Sequence, residues 1–177
     1  IFGQGYAFEE ATISYLKKEH GEENFAIVGA HHRDSNSLEK AEETFNLMKS
    51  GTPFILQAVL RNPNNRTFGM PDILVRSDWL NKITVEDSID SAASVRAPAL
   101  DGNYHYRVVD VKFTTLKLNS ANTHLLDGKA SQKAYKAQLA IYNRALGRLQ
   151  EYEPPQAYLL GRRCRYVVGG KKQDSIH

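Results

Sequence analysis

Apolar and polar positions along this chain recur with two different periods, and each change of period marks an element. From Ala7 to His20, Phe8, Ala11, Thr12, Tyr15 and Leu16 return at three- and four-residue steps, which predicts an amphipathic helix ended by Gly21. Phe25 to Gly29 is short and apolar and predicts a strand. A polar loop through His31, His32, Arg33 and Asp34 then leads to a second helix, capped by Ser37 and stopping at Ser50-Gly51. The run from Phe54 to Leu60 has strand composition, with a turn at Arg61-Asn62-Pro63-Asn64-Asn65. Strands follow at Ile73 to Arg76 and at Tyr104 to Thr114, expected to pair with each other, around an irregular stretch from Val85 to Gly102. Asn119 to Lys129 reads as a loop. Ser131 to Leu149 is a long helix with Tyr135, Leu139, Tyr142, Leu146 and Leu149 on one stripe. Past Glu153-Pro154-Pro155, Ala157 to Gly161 predicts a last strand, and the polar tail from Gly169 to His177 is expected to fray.

Helix, three strands, helix, strand is the order of an α/β domain with a mixed central sheet covered by helices, and the second helix is an addition to it. No repeat or low-complexity tract interrupts that order.

Composition narrows the function classes more than it selects one. The 177 residues suit one domain, since domains run to about 100 to 200 residues. Lys and Arg number 23 against 20 Asp and Glu, a net charge of +3 that permits a polyanionic partner without requiring one. The single cysteine, Cys164, excludes an internal disulfide and the multi-cysteine sites of structural zinc or an iron–sulfur cluster, and fits a reducing, intracellular setting in cytoplasm or nucleus. No apolar run reaches the roughly 20 residues of a membrane helix, so no membrane partner is expected. A start at Ile1, almost directly into a helix, suggests that residues 1–177 are a domain cut from a longer chain.

The strongest chemical signal lies in the strand Tyr106-Arg107-Val108-Val109-Asp110-Val111-Lys112-Phe113. Alternation sends Val109, Val111 and Phe113 to one face and Val108, Asp110 and Lys112 to the other, so Asp110 and Lys112 are neighbours. Such a pair is often a plain surface ion pair worth about 0 to 1 kcal/mol. Gly69-Met70-Pro71-Asp72 sets a second acid at the mouth of an apolar strand, where a ligand can reach it, although Asp is also an ordinary turn residue. On the first helix Glu10 lies on the polar side beside Lys17, whereas Glu9 falls between Leu16 and Ile13 and points inward. A carboxylate there calls for a metal or a lysine unless its stem carries it to water. Gln138, one turn before Tyr142, aims an amide at the interior, either as a buried structural bond or as part of a site. Lys133, Lys136 and Arg144 occupy the opposite, solvated face, which a phosphate backbone could use.

Taken in order, Glu9, Pro71-Asp72, Asp110-Val111-Lys112 and Gln138-Leu139-Ala140-Ile141-Tyr142 resemble the motifs of the PD-(D/E)XK nucleases, in the RecB-type branch with its trailing Q-x-x-x-Y helix. The chain is most similar to the RecB family nucleases often fused to helicases, in Gly5-x-x-x-Glu9, in Thr44-x-x-x-Met48-x-x-Gly51 leading to Gln57-Ala58, and in Gly69-x-Pro71-Asp72-x-Leu74-x-Arg76. The likeness runs from about Gly5 to Gly161. It departs from other RecB-type exonucleases in having no cysteines flanking the core for an iron–sulfur cluster and no histidine at or just before Glu9; His31 and His32 come later, in a loop.

The resemblance implies an α-β-β-β-α-β core and a metal-dependent deoxyribonuclease of DNA repair, recombination or replication, directed to ends or single strands. It implies Mg²⁺ or Mn²⁺ held by Glu9, Asp72, Asp110 and the backbone carbonyl of Val111, with Lys112 orienting the attacking water or stabilising negative charge. Gln138 and Tyr142 would support the site or touch DNA. A helicase domain or subunit is the implied companion. Against this stands a nucleic-acid-binding module that keeps the fold without cutting. A small-molecule α/β enzyme is disfavoured by the absence of a Gly-rich phosphate loop or nucleophile elbow.

Overall fold

The computed structural model describes residues 2–84, 89, 91–121, 124–126, 130–168 and 171–175. Helix α1 (Phe2–His20) begins before the predicted Ala7 and ends where Gly21 turns the chain at φ 84°. Its buried stripe is Phe8, Ile13 and Leu16, while the predicted Ala11 and Tyr15 face solvent. The stripe is thus rotated toward Glu9. Strand β1 (Phe25–Ile27) lies at one edge of the sheet, and Val28 and Gly29 prolong it with bonds to the carbonyls of Leu56 and Gln57. Helix α2 (Leu38–Lys49) starts on Ser37, whose side chain accepts the Lys40 N–H, and stops at Gly51, φ 76°, as the sequence predicts.

The run from Phe54 to Leu60 departs from its prediction as one strand. It gives β2 (Phe54–Leu56), a break at Gln57 with φ 50°, and then β3 (Leu60–Asn62), which pairs only with β4 (Thr67–Gly69) in a separate hairpin. Of the predicted turn, Pro63, Asn64 and Asn65 lie in the tip of that hairpin, whereas Arg61 and Asn62 belong to β3. Apolar composition predicted extended backbone correctly on both sides of Gln57 and carried no sign of the left-handed residue between them.

Strand β5 (Ile73–Arg76) pairs antiparallel with β2 and with β6 (Tyr106–Lys117), as expected for the pair Ile73–Arg76 and Tyr104–Thr114. Between them lie a short helix α3 (Ser77–Leu80) and a 3-10 turn at Ser91–Ser94, inside or beside the stretch read as irregular; 85–88 and 90 of that stretch lie outside the described residues. Helix α4 (Ala130–Gln150) matches its prediction to within a residue at each end. In the predicted loop before it, Leu125 forms a bridge with Leu118, which precedes the loop, and 122–123 and 127–129 lie outside the described residues. Strand β7 (Tyr158–Val168) is far longer than the predicted Ala157 to Gly161, and it pairs with β8 (Lys171–Ser175), formed by the tail expected to fray. Polar side chains concealed both, because an edge ribbon needs backbone pairing more than an apolar face.

The sheet runs β1-β2-β5-β6-β7-β8, with β1 parallel to β2 and β6 parallel to β7, the other pairs antiparallel. The molecule is therefore α/β with a mixed sheet. Alternation divides its core. Phe54, Leu56, Ile73, Val75, Val109 and Val111 face α1 and α3, whereas Ile55, Leu74, Tyr106 and Val108 face α2 and α4. Each fully buried Leu or Ile contributes roughly 1.5 to 3 kcal/mol of transfer free energy. Among the described residues no helix is long and apolar enough to cross a membrane.

A polar network is buried near the start of β6. His105 and Arg107 are both fully covered. His105 Nδ1 lies 2.8 Å from the Val95 carbonyl and Nε2 accepts from Arg107 Nε at 2.8 Å, which fixes a neutral imidazole with its proton on Nδ1. Burial pushes its pKa down to about 4. The unfolded chain takes up that proton near pH 6.5, so between the two values it holds more protons than the folded protein. The His105 contribution to stability is therefore expected to fall by about 3 kcal/mol as pH drops from about 6.5 to about 4, read as the difference between wild-type and His105→Gln urea midpoints across that range. A His105→Gln variant should lack this component, and a wild type whose profile runs parallel to that of the variant would contradict the buried neutral assignment.

Candidate active site

Helices α1 and α4 meet strands β2, β5 and β6 at one end of the sheet, where β2 and β5 have stopped and β6 continues. Leu56 pairs with Ile73 and Ile73 with Val109, so Asp110 to Lys112 project past the last rung between β5 and β6. Asp72 fills that step. Its Oδ2 accepts the Val111 N–H at 2.7 Å, and its own carbonyl accepts the Gln57 N–H at 2.9 Å. The acid that Pro71 introduces is thus fixed from both neighbouring strands. In an extended strand the N–H and C=O of one residue share an edge, so the Val111 carbonyl faces the same side as Asp72.

Asp110 is 1% exposed and lies on the α4 face, as alternation predicts. Its Oδ2 is in ion-pair contact with Lys112 Nζ. Burial lowers the affinity of Lys112 for its proton, yet Asp110 and Asp72 more than offset this and hold it above the ordinary lysine value. Lys112 remains a cation. Its ammonium also lies 5.8 Å from the Tyr135 ring.

Glu9 reaches the same place from the opposite face of the sheet. Its Oε1 accepts from Gln57 Nε2 at 2.6 Å, which puts the break after β2 to use. Burial raises its pKa, Lys112 lowers it and Asp110 raises it again. Asp72 is affected most: burial, then the charges of Asp110 and Glu9, push it up to about 8. Carboxylates so crowded need a proton or a cation among them.

Gln138 and Tyr142, one helical turn apart, are joined by a bond from Gln138 Nε2 to the Tyr142 hydroxyl at 2.8 Å. A Cβ on Gly69 would overlap the Tyr142 ring, so the backbone of β4 lies flat against it. The resulting cleft, about 720 Å³, is lined by Glu9, Gln57, Asp72, Gln138 and Tyr142, with His31 and His32 on its rim.

All the predicted site residues Glu9, Asp72, Asp110, Val111, Lys112, Gln138 and Tyr142 are therefore brought to one end of the sheet. Gln57 was not foreseen as a member, although a glutamine inside the apolar run from Phe54 to Leu60 was a visible signal. Lys133 and Arg144 are exposed, on the face away from the cleft. The remaining residues of the resemblance hold the frame: Thr44 Oγ1 accepts the Val59 N–H at 2.9 Å, and Arg76 Nη1 donates to the Gly51 carbonyl.

Among the described residues no group of three or more His, Cys, Asp or Glu side chains is gathered as a metal-holding cluster. Glu9 is engaged by Gln57, and Asp72 by the Val111 N–H. The donor set nevertheless fits a hard divalent cation: oxygen atoms only, the buried Asp110 among them, with mutual repulsion that a cation would relieve. Comparison of the chain with family models, with curated proteins and with solved structures gives no match.

Proposed function

We propose that this chain is a metal-dependent deoxyribonuclease of the PD-(D/E)XK type, in the RecB-like branch, hydrolysing DNA phosphodiester bonds. The observation that carries the reading is the convergence of Asp72, Asp110 and Lys112: the Val111 N–H ties Asp72 to the strand that bears the other two. Glu9 joins them from α1. The succession α1, β2, β5, β6, α4, β7 also supports it, being helix, three strands, helix, strand, with β1, α2, the β3–β4 hairpin, α3 and β8 as additions.

Asp72, Asp110, Glu9 and the Val111 carbonyl would hold Mg²⁺ or Mn²⁺. Such an ion, when bound, supplies charge that polarises the scissile phosphate and lowers the pKa of a coordinated water. Lys112, kept cationic by Asp110 and Asp72, orients the attacking water and stabilises negative charge developing on the phosphate. The Tyr142 hydroxyl, oriented by Gln138, faces the cleft as a hydrogen-bonding group for the backbone of the substrate. The resemblance extends the reading to ends or single strands as substrate and to a helicase domain or subunit as companion.

The test is digestion of end-labelled single-stranded, double-stranded and circular DNA with Mg²⁺, with Mn²⁺ and with chelator. Cleavage that needs the metal and is abolished in Asp110→Ala is expected, and the circular substrate reports whether an end is required. A folded wild-type protein that cuts none of them under any metal would refute the nuclease and leave the binding module.

A further inference from the structure

Two aromatic side chains stand exposed in the lining of one cleft, Tyr6 on α1 and Phe68 on β4. Tyr6 is 73% exposed and Phe68 47% exposed, and both line the cleft that contains Glu9 and Asp72. Isolated exposed apolar residues are ordinary. These two differ in sharing one cleft with the reactive carboxylates.

Their positions follow from the fold. Tyr6 precedes Glu9 by three residues on α1, so the two share a helix face. Phe68 lies on β4, whose next residue, Gly69, is pressed against Tyr142. That contact fixes the hairpin, and with it the Phe68 ring, beside the site. In the hairpin register Phe68 stands directly opposite Arg61, and directly opposed residues of an antiparallel pair lie on the same face. A flat apolar ring is thereby set next to a cation.

A base offers a π-face and the phosphate beside it a negative charge, which is the combination that this ring and this cation match. Paired bases are already stacked in a duplex and cannot lie on a side chain without being unstacked. We infer that Tyr6 and Phe68 are stacking platforms for unpaired bases, and that Arg61 holds the phosphate adjoining the base on Phe68. The cleft thus selects a single strand and feeds its backbone to the carboxylates. The inference rests on the nuclease reading of the same site and names what that site grips.

The test compares binding of a fluorescent twelve-residue thymidine strand with an abasic strand of equal length, which keeps the phosphates and lacks the bases. It is done in an Asp110→Ala background so that the probe survives. Phe68→Ala and Tyr6→Ala should each weaken binding of the thymidine strand by about fivefold to a hundredfold and that of the abasic strand by less than about twofold. Phe68→Trp should retain affinity and Phe68→Leu should lose it, because a leucine keeps the apolar contact without the flat face. Arg61→Ala carries the opposite signature and should weaken both strands alike. Equal losses on the two strands for Phe68→Ala, or no loss on either, would overturn the stacking role. The catalytic reading is judged separately: metal-dependent cleavage by the wild type that survives in Phe68→Ala with unchanged affinity sinks the stacking inference alone. A wild type that neither binds nor cuts DNA sinks both.

Discussion

Lys112→Met is expected to leave the protein folded and to slow DNA cleavage by at least about 10²-fold, the usual loss when one preorganised charge that stabilises a reacting centre is removed. Lys112 lies at a position where burial disfavours its charge and yet it stays cationic, because Asp110 and Asp72 outweigh that cost. A cation so held is already in place before any negative charge develops, so little reorganisation remains to be done. Methionine has nearly the same length and removes only the charge. The variant should still bind Mn²⁺, since it keeps Asp72, Asp110 and Glu9 and loses a competing positive charge. Asp110→Ala should lose Mn²⁺ and cleavage together. Lys112→Arg should not restore the rate, because a planar fork cannot occupy the position of a compact ammonium beside Asp110. Single-turnover rates, Mn²⁺ titration and a thermal melt of each variant separate these effects. A Lys112→Met protein that cuts within threefold of wild type would exclude the lysine from the chemistry.

The parts of this molecule that could be read from sequence are those whose cause is local. Ser37 caps α2 and Gly21 ends α1 through contacts within a few residues of themselves, and the alternation of β6 follows from the pleat. Asp110 and Lys112 were for that reason placed on one face correctly. The inward position of Glu9 was legible because α1 has a single buried stripe, even though Ala11 and Tyr15 were wrongly assigned to it. The wheel places Ala11 and Tyr15 at the edge of that stripe, and only the packing of Leu16 and Ile13 on the sheet decides which edge is covered.

What escaped the sequence depends on partners far along the chain. Nothing near Gln57 announces that its side chain will meet Glu9, or that a left-handed residue will split an apolar run into two strands of different sheets. The length of β7 is set by β6 on one side and β8 on the other, and β8 is polar enough to pass for a tail. Asp72 was singled out at the mouth of its strand, but the bonds that fix it, from the Val111 N–H to its side chain and from the Gln57 N–H to its carbonyl, come from distant strands.

Removing divalent metal should destabilise the wild-type protein increasingly as pH rises from about 5 to about 8, and adding Mn²⁺ should reverse it. Asp72 is pushed up to about 8 by its burial and by the charges of Asp110 and Glu9. In the unfolded chain the same carboxyl titrates near 3.9. Between these values the metal-free folded protein carries a proton that the unfolded chain has released, so each pH unit of rise costs stability on the order of 1.4 kcal/mol. Glu9, also raised by burial, adds to the loss in the same direction. A cation in the cluster replaces the proton, so Mn²⁺ should raise the melting temperature by several degrees at pH 8, where 1 kcal/mol corresponds to about 2 to 4 °C, and by little at pH 5, where protons compete. Asp72→Asn cannot carry the charge, so in chelator it should melt above the wild type at pH 8 and gain much less from Mn²⁺. His105 acts in the opposite direction, losing stability as pH falls, but it is unchanged by the metal and by the Asp72 substitution. Differences between metal and chelator, or between wild type and Asp72→Asn, therefore cancel it. An Asp72→Asn protein stabilised by Mn²⁺ as strongly as the wild type would remove Asp72 from the metal ligands, and a metal-free wild type no less stable than Asp72→Asn at pH 8 would show that the three carboxylates do not strain the fold.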